Sequence, residues 1–335
     1  MFFKCLDIES MMNRAGKNRI PFLFGLDFEM ENGFFIERPM LQSEILFEVN
    51  GIGNFNNHQI NLQSKSTHIK QEESNNYQFY IFPEEYSKYK ERFYIVMEGL
   101  KKGDTYLTNL TARTAIKTSL TLKDILLRSN TPYKLYIPNK LVCFSPECFV
   151  KIKDGKIFTY PMKGTISEEI EDAEKIILND EKEKAEHNTI VDLLRNDLSK
   201  VADNVDVTKF RYIDRIRSNR GGLLQVSSEI EGTLCENYLD EIGSLIFKLV
   251  PAGSISGAPK RTTLDLISSA EKQKRGYYTG VGGYFDGMSL NSFVLIRFIE
   301  QDNGELYFRS GGGITAMSNP EKEYGEMLQK VYLPF

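Results

Sequence analysis

The chain has 335 residues, of which 41% are hydrophobic, and a formal net charge of −4 at pH 7. This length can build one large domain or two ordinary ones, each with a sizeable core. Basic and acidic residues are interspersed, and no run approaches the roughly 20 apolar residues that span a bilayer. The N-terminus also lacks the apolar segment of a secretion signal. We therefore expect a cytoplasmic globular protein with no nucleic-acid or membrane partner.

The cysteine content agrees with a reducing compartment. The four cysteines show no C-x-x-C spacing and are few for this length: Cys5, Cys143, Cys148 and Cys235. They are interpreted as reduced, mostly buried thiols, and a disulfide or a zinc site is the less favoured alternative.

The first third of the chain predicts a sheet, a polar connection and a helix. Two β-prone runs in "IPFLFGLDFEMENGFFIE" flank Asn32-Gly33, which suits a two-residue hairpin turn. Residues 51–76 are rich in Asn, Gln and Ser and predict a loop with exposed His58 and His68. Residues 83–102 predict a helix, since Pro83 suits a first turn and Gly103 follows two lysines.

Short β-prone segments and helical patterns then alternate to the end of the chain. The predicted strands are "DTYLTNLTART", "YKLYIP", "KLVCFS", "FVKIKDGKIFTYP", "LLQVSSEIEGTL" and three late runs at 276–285, 291–300 and 304–310. The predicted helices are 168–199, 236–249, 259–273 and 319–332, the last with Asn319 as its cap. With no internal repeat or linker from 77 to 335, one large α/β sheet structure is expected.

Two glycine-rich stretches raise the question of phosphate or anion binding. "PAGSISGAPKR" at 251–261 lacks the P-loop spacing G-x-x-x-x-G-K-[ST], which argues against a Walker ATPase. "RSGGGIT" at 309–315 is interpreted as a turn leaving a strand. Its glycines either only permit the turn or offer backbone N–H groups to an anion such as a carboxylate.

Two helical segments carry glutamates three residues apart, and such pairs share one helix face. They are Glu183 with Glu186, and Glu323 with Glu326. Four carboxylates from two helices suit a hard cation such as Mg²⁺, which takes oxygen ligands. The alternative for either pair alone is an ordinary solvated acidic face.

Three cationic side chains stand where an anion or a reaction could use them. Lys330 follows Glu326 by four residues, which suits a helical ion pair or a contact with an anionic substrate. Arg297 lies in the strand-like "SFVLIRFIE", where burial needs an anionic partner, either a substrate carboxylate or a protein one. Lys163 follows Pro161-Met162 at a predicted strand end. As a nucleophile it needs a pKa well below the usual value of about 10.4, whereas most lysines are plain surface residues.

Eight segments in order give the chain a resemblance to a known family. They are "GDTYLTNL", "SPECF", "YPMKGTI", "KEKAEHNTIVDLLRNDL", "PAGSISGAPK", "RGYYTGVGGYF", "LIRF" and "RSGGGIT". Together, from about residue 80 to the C-terminus, they resemble the chorismate-utilising enzymes: component I of anthranilate synthase and of aminodeoxychorismate synthase, and the isochorismate and salicylate synthases.

The resemblance implies a fold. It is an α/β (α+β) fold of two face-to-face, mainly antiparallel sheets flanked by helices, with the active site in a cleft between them. All of 1–335 would form one chorismate-binding catalytic domain, of which 1–76 diverges from the family and 77–335 matches it.

The resemblance also implies a reaction. The family's P-x-K-G-T version is typical of aminodeoxychorismate synthases, whereas anthranilate synthases have P-x-A-G-T, and Lys163 occupies the discriminating position. It would attack C2 of chorismate as the C4 hydroxyl leaves, and ammonia would then add at C4 and expel the lysine. Glu147 would be the acid/base residue. The product, 4-amino-4-deoxychorismate, leads to 4-aminobenzoate and folate, and the ammonia would come from a separate glutamine amidotransferase subunit.

Further site residues follow from the same matching. Glu186 and Glu326 would bind Mg²⁺, with Glu183 and Glu323 supporting through water. The remaining residues would hold the substrate: Gly164, Thr165, Tyr278, Arg297, Gly311, Gly312, Gly313 and Lys330.

Two positions depart from the family pattern. Leu107 stands where members usually have Gln, or Lys in those that activate water at C2, so isochorismate synthase activity is not expected. Gln225 replaces a histidine that many members use in substrate binding or leaving-group departure. Two alternatives therefore stay open: anthranilate synthase component I, and a non-catalytic metabolite-binding protein on the same scaffold.

Overall fold

The computed structural model describes residues 1–55, 77–218 and 221–335. The predicted exposed His58 and His68, and most of the predicted 51–76 loop, lie outside these ranges. Contacts divide the chain into two compact units. The first unit comprises 1–37, 148–256 and 281–293, and the second comprises 38–147, 257–280 and 294–335. In the described parts, the helices are too short or too polar to cross a membrane.

The strands of the described residues run through the whole chain. In order they are β1 Phe2–Lys4, β2 Phe22–Leu26, β3 Asn32–Glu37, β4 Leu46–Val49, β5 Ile52–Gly53, β6 Phe79–Phe82, β7 Leu107–Thr118, β8 Tyr133–Ile137, β9 Leu141–Ser145, β10 Cys148–Lys153, β11 Lys156–Thr159, β12 Met162–Ser167, β13 Asp203–Ser218, β14 Gly221–Thr233, β15 Gly257–Ala258, β16 Val281–Phe285, β17 Leu290–Val294, β18 Phe298–Asp302 and β19 Glu305–Ile314.

Helices lie between many of these strands. The α-helices of the described residues are α1 Cys5–Lys17, α2 Tyr86–Lys102, α3 Leu122–Arg128, α4 Ala173–Asn179, α5 Glu181–Leu198, α6 Ile242–Leu249, the single turn α7 Gly253–Ser256, α8 Lys260–Glu271 and α9 Pro320–Gln329. Short 3₁₀ turns lie at Pro39–Leu41 and Tyr238–Glu241. The predicted helices are thus confirmed, although 168–199 is divided into α4 and α5.

Each unit is built on one mainly antiparallel sheet. Among the described residues, the sheet of the first unit has ten strands in the order β1-β3-β2-β16-β17-β10-β11-β14-β12, with β13 also paired to β14. The described part of the second sheet has nine strands in the order β15-β7-β19-β18-β9-β8-β4-β5, with β6 paired to β7. This arrangement confirms the predicted α/β class with two mainly antiparallel sheets.

Apolar contacts on the two sheets follow strand alternation and helix periodicity. In the first unit, Phe22 lies 5.1 Å from Phe285 and 5.3 Å from Phe35 between ring centroids. In the second unit, α2 and α9 bury Phe93, Val96 and Met327 against Leu110 of β7. These cores hold fixed the strands and helices that carry the candidate site residues.

The first hairpin is present, but the predicted position of its turn is wrong. Asn32 and Gly33 belong to β3, where Gly33 pairs with Leu26. The turn instead uses residues 27–31, because the buried Asp27 carboxylate accepts the backbone N–H groups of Glu31 and Asn32 at 2.8 and 3.0 Å. This Asp-based closure is a side-chain mimic of a backbone turn.

Helix α1 was not predicted, although its sequence is amphipathic. Ile8, Met12 and Ala15 are fully buried and recur at intervals of three and four residues. Mostly polar residues occupy the intervening positions, so the sequence does carry the amphipathic signal of this helix.

The predicted strand at 291–300 is wrong because the chain breaks there. Leu290–Val294 forms β17 of the first sheet and Phe298–Asp302 forms β18 of the second. Arg297 lies in the break with φ of +52°, a left-handed conformation that a continuous strand does not permit. A continuous apolar sequence therefore conceals a change of sheet.

Candidate active site

Lys163 lies at the beginning of a strand, not at the strand exit that the sequence predicted. It is the second residue of β12, and the Gly164-Thr165 pair continues that strand. The register with β14 shifts between Met162 and Thr165, and Gly164 adopts φ of +83°. Glycine suits this bulge because a side chain would be strained there. Thr165 is exposed.

The helix facing Lys163 carries the first predicted pair of glutamates. Helix α5 begins at Glu181 because the Asp180 side chain caps it, accepting the backbone N–H of Glu183 at 2.9 Å. Lys163 Nζ lies 2.7 Å from Glu186 Oε2, and the two side chains are 36% and 22% exposed. The sequence did not predict this pairing of the candidate nucleophile with a candidate metal ligand.

Glu183 lies next to the same bulge. A Cβ built on Gly164 would come 2.9 Å from Glu183 Oε2, so the missing side chain leaves room for this carboxylate. Burial raises the pKa of Glu183, an effect opposed by Lys163 and reinforced by Glu186. Its Oε2 is buried and has no hydrogen-bond partner within the described part of the chain.

Beneath these carboxylates, His187 is completely buried. Its Nε2 lies 2.7 Å from the hydroxyl oxygen of Ser228 on β14. Burial, with a smaller contribution from Arg211, lowers the pKa of His187 to about 4. The imidazole is therefore neutral at neutral pH.

In the second unit, the triple glycine is part of a strand, which corrects the predicted turn. Gly311, Gly312 and Gly313 lie in β19 and pair with Thr111, Leu110 and Asn109 of β7. A Cβ on Gly312 would approach Glu323 Oε2 and Lys330 Nζ at 3.6 and 3.8 Å. Both distances are ordinary van der Waals separations, so Glu323 and Lys330 lie directly beside the strand at Gly312.

Helix α9 and its C-cap residue provide those charges. Asn319 caps the helix as predicted, accepting the backbone N–H groups of Glu321 and Lys322 at 3.0 and 3.1 Å. Lys330 Nζ lies 2.9 Å from Glu326 Oε1 and donates to the Gly311 carbonyl at 2.9 Å. Glu323 accepts the Ser318 hydroxyl at 2.7 Å. The structure therefore brings Gly311–Gly313, Glu323, Glu326 and Lys330 together.

Two aromatic contacts orient other predicted substrate ligands in this unit. Arg297 Nε lies 3.4 Å from the Tyr332 hydroxyl, and the guanidinium lies 5.7 Å from the centre of that ring. Tyr278 is buried against Phe298, with 5.9 Å between ring centroids. Burial raises the pKa of Tyr278 to about 12, while Arg275, Arg297 and Arg309 act in the opposite direction. Tyr278 therefore keeps its phenolic proton.

Glu147 follows β9 in the second unit. Its backbone N–H donates to the Ser145 hydroxyl at 3.1 Å, and its carbonyl accepts from Val294 N–H at 3.1 Å. Hydrogen bonds thus fix both the N–H and the carbonyl group of Glu147, and the residue is partly buried.

The four glutamates suit magnesium in their chemistry, since each offers hard carboxylate oxygens. The buried Oε2 of Glu183, which lacks a partner among the described residues, is the atom that most needs a cation or a proton. Within the described ranges, no three His, Cys, Asp or Glu side chains form a ready-made metal cluster. Magnesium therefore remains a prediction.

The predicted burial of the cysteines holds for two of the four: Cys5 and Cys143 are buried, Cys148 is partly buried and Cys235 is exposed.

A model of the family described as "chorismate binding enzyme" matches residues 42–334. The chain belongs to this family. A 50% identical relative in Haemophilus influenzae, named "Uncharacterized PabA-like protein", is matched over 96% of this chain and 94% of the relative.

Relatives with named activities match a shorter region. The aminodeoxychorismate synthase component 1 of Bacillus subtilis is 31% identical over 71% of this chain and 52% of that protein. An anthranilate synthase component 1 of Haloarcula marismortui is 36% identical over 70% of this chain and 48% of that protein. This chain thus spans about half the length of these two relatives, and identity does not rank one activity above the other.

Solved structures agree on the fold. The anthranilate synthase component I of Streptococcus pneumoniae gives a TM-score of 0.64 at 26% identity, covering 82% of this chain and 63% of that one. The menaquinone-specific isochorismate synthase of Escherichia coli gives 0.73 at 15% identity, covering 98% and 82%. The second likeness concerns the fold alone.

Proposed function

We propose that this chain is component I of an aminodeoxychorismate synthase, which converts chorismate and ammonia into 4-amino-4-deoxychorismate. The observation that carries the proposal is Lys163, whose Nζ lies 2.7 Å from Glu186 Oε2 beside the strand bulge at Gly164. An alanine at this position, as in the anthranilate synthase pattern, supplies no amine. The lysine favours amination at C4, since it would compete with ammonia for C2.

The proposed reaction has two substitutions at the ring. The neutral amine of Lys163 forms a bond to C2, both conjugated ring double bonds shift by one position toward C4, and the C4–O bond breaks, so that the hydroxyl takes up a proton and leaves as water. Ammonia then forms a bond to C4, both double bonds shift back, and the C2–N bond to lysine breaks. The net change replaces a hydroxyl by an amino group and restores Lys163.

Glu147 is assigned the proton transfers. It gives a proton to the departing hydroxyl and takes one from an attacking or departing amine, so its carboxyl must accept and release protons at neutral pH.

Cations and backbone groups are assigned to the substrate's two carboxylates. Lys330, Arg297, the Tyr278 hydroxyl, Gly164, Thr165 and the backbone of Gly311–Gly313 are the proposed contacts. Glu186 and Glu326 would hold Mg²⁺, with Glu183 and Glu323 in support, and the ion would neutralise negative charge on a substrate carboxylate.

The ammonia is proposed to come from a separate glutamine amidotransferase subunit, in a cytoplasmic route to 4-aminobenzoate and folate. The first test is turnover by the purified chain. Chorismate, ammonium chloride and Mg²⁺ are incubated with the protein, with EDTA in a parallel sample. The product is identified by mass spectrometry and fluorescence, before and after an aminodeoxychorismate lyase is added.

The proposal expects a metal-dependent, non-fluorescent amine that the lyase converts to 4-aminobenzoate. Fluorescent anthranilate formed without the lyase would contradict it and favour anthranilate synthase activity. Tight chorismate binding without any turnover would instead favour a non-catalytic binding protein.

A further inference from the structure

A buried hydrogen bond connects the glutamate helix α5 to the sheet that carries Lys163. His187 and Ser228 are both fully buried, and Nε2 lies 2.7 Å from the hydroxyl oxygen. His187 directly follows Glu186 in the sequence. A change in the position of His187 on the sheet therefore displaces the carboxylate that pairs with Lys163.

Ser228 also holds the chain segment that leads to Lys163. Its backbone N–H donates to the carbonyl of Pro161 at 3.0 Å, two residues before Lys163. Ser228 thus hydrogen-bonds through its side chain to the helix that carries Glu186, and through its backbone to the segment that precedes Lys163.

A third contact at Ser228 comes from β13. The backbone N–H of Arg211 donates to the Ser228 hydroxyl oxygen at 2.9 Å. Arg211 adopts φ of +48°, and the β13–β14 register shifts between Lys209 and Tyr212. This bulge points the backbone N–H of Arg211 at the Ser228 hydroxyl. It requires a left-handed backbone conformation at Arg211, which is strained for a residue other than glycine. The hydroxyl is therefore held from two elements.

We infer that His187 and Ser228 are positioning residues that fix Glu186 against Lys163. The inference rests on the proposed function, because that function gives Lys163 and Glu186 their roles. Without the hydrogen bond, α5 retains its apolar packing but loses the polar contact that fixes its register on β14. The lysine amine and the carboxylate then no longer keep the separation of 2.7 Å.

The neighbouring residue provides a matched control. Ser227 is also fully buried on β14, but its hydroxyl has no hydrogen-bond partner in the part of the chain that the structure describes. Ser227→Ala and Ser228→Ala remove the same atom from adjacent buried positions. A general weakening of β14 affects both variants, whereas a positioning role affects only Ser228→Ala.

Steady-state kinetics with chorismate and ammonium test the inference first. Ser228→Ala and His187→Phe are expected to lower kcat by about 10- to 100-fold. A loss of this size is expected when a reacting group is displaced by up to about 1 Å. KM for chorismate should change by less than about 3-fold, since these side chains have no proposed substrate contact. His187→Gln, whose amide reaches about as far as Nε2, should recover most of kcat. Ser227→Ala should match the natural protein.

Hydrogen exchange of the protein without chorismate provides a readout that is independent of activity. Peptides covering 160–167 and 181–190 should exchange at least about 10-fold faster in Ser228→Ala and His187→Phe than in Ser227→Ala and His187→Gln, since local opening becomes easier. Equal exchange and equal kcat in Ser227→Ala and Ser228→Ala would overturn the inference. Faster exchange in a protein that makes no 4-amino product would reject the proposed function but retain the structural connection.

Discussion

In each unit of the molecule a lysine forms an ion pair with the second glutamate of a helical Glu-x-x-Glu pair. The two lysines differ in where they lie in the sequence relative to that helix. Lys330 belongs to the C-cap of the helix that carries Glu326, and its Nζ also donates to the Gly311 carbonyl. Lys163 reaches Glu186 from a strand in another part of the sequence. Lys330 is tied to backbone and thus suited to anchoring an anion. Lys163 depends on tertiary structure for its partner, which suits a group that must form and break a bond.

The first glutamates of the two pairs differ in the same direction. Glu323 accepts a hydroxyl hydrogen bond from Ser318 at 2.7 Å. Glu183 has a buried Oε2 without a partner among the described residues, and burial raises its pKa. Glu323 of the second unit therefore has a local hydrogen-bond donor, whereas Glu183 of the first unit has a buried oxygen that a ligand or cation can pair with.

The largest expected effect comes from removing the proposed nucleophile. Lys163→Ala should lower 4-amination by about 10³-fold or more, as for other lost nucleophiles, with anthranilate as the residual product. Lys182→Ala is the matched control, because Lys182 also approaches Glu186, at 3.7 Å, from an exposed position. Product analysis of both variants measures the effect. If Lys163→Ala formed the 4-amino product at an unchanged rate, the covalent mechanism would be ruled out.

The next effect concerns acid stability of the first unit. Burial lowers the pKa of His187 to about 4 from 6.5, so the unfolded chain binds more protons between these pH values. The unfolding free energy should therefore fall as pH decreases from 6.5 to 4, with His187 contributing about 2–3 kcal/mol of the loss. Urea unfolding across this range measures it. His187→Gln should show a flatter pH dependence, and an identical slope in both proteins would contradict the shift.

A smaller effect is expected at the anchoring lysine. Lys330→Met should raise KM for chorismate by about 10-fold, the value of one charge-assisted hydrogen bond, and leave kcat nearly unchanged. Lys322→Met, on the exposed face of the same helix, is the control. A fall in kcat equal to that of Lys163→Ala would abolish the distinction between the two lysines.

The smallest expected effect is the relief of charge at Glu183. Without divalent cations, Glu183→Gln should raise the unfolding midpoint by about 2 °C, the shift that roughly 1 kcal/mol produces in a large domain. Added Mg²⁺ should stabilise the natural protein more than the variant. Glu181→Gln, at an 83% exposed side chain, is the control. Scanning calorimetry measures both effects, and equal stabilisation by Mg²⁺ would exclude Glu183 as a ligand.

Much of the fold followed from local patterns. Helix α2 ends where Gly103 provides a left-handed C-cap, and α9 begins where Asn319 caps it. Such capping signals involve only a few neighbouring residues, so they can be recognised from the sequence alone. The hairpin turn at residues 27–31 and the break at Arg297 were missed, because both depend on side-chain capture or on pairing with distant strands.

The candidate site was predictable in composition but not in contacts. Motif matching named Lys163, Glu183 and Glu186, and periodicity placed the two glutamates on one helix face. The pairing of Lys163 with Glu186, and the contact of His187 with Ser228 across 41 residues, are tertiary contacts without a local signal. In the sequence His187 stands between Glu186 and Asn188 in a polar stretch, and only its full burial marks it as significant.

The most direct test of the central claim is to trap the lysine adduct. The protein is mixed with chorismate and Mg²⁺ without ammonia, quenched, digested and analysed by peptide mass spectrometry. The account predicts that the peptide containing Lys163 gains the mass of chorismate less one water, and that added ammonium removes this adduct as the 4-amino product appears. Formation of the 4-amino product at the full rate while Lys163 stays unmodified at every time point would contradict it.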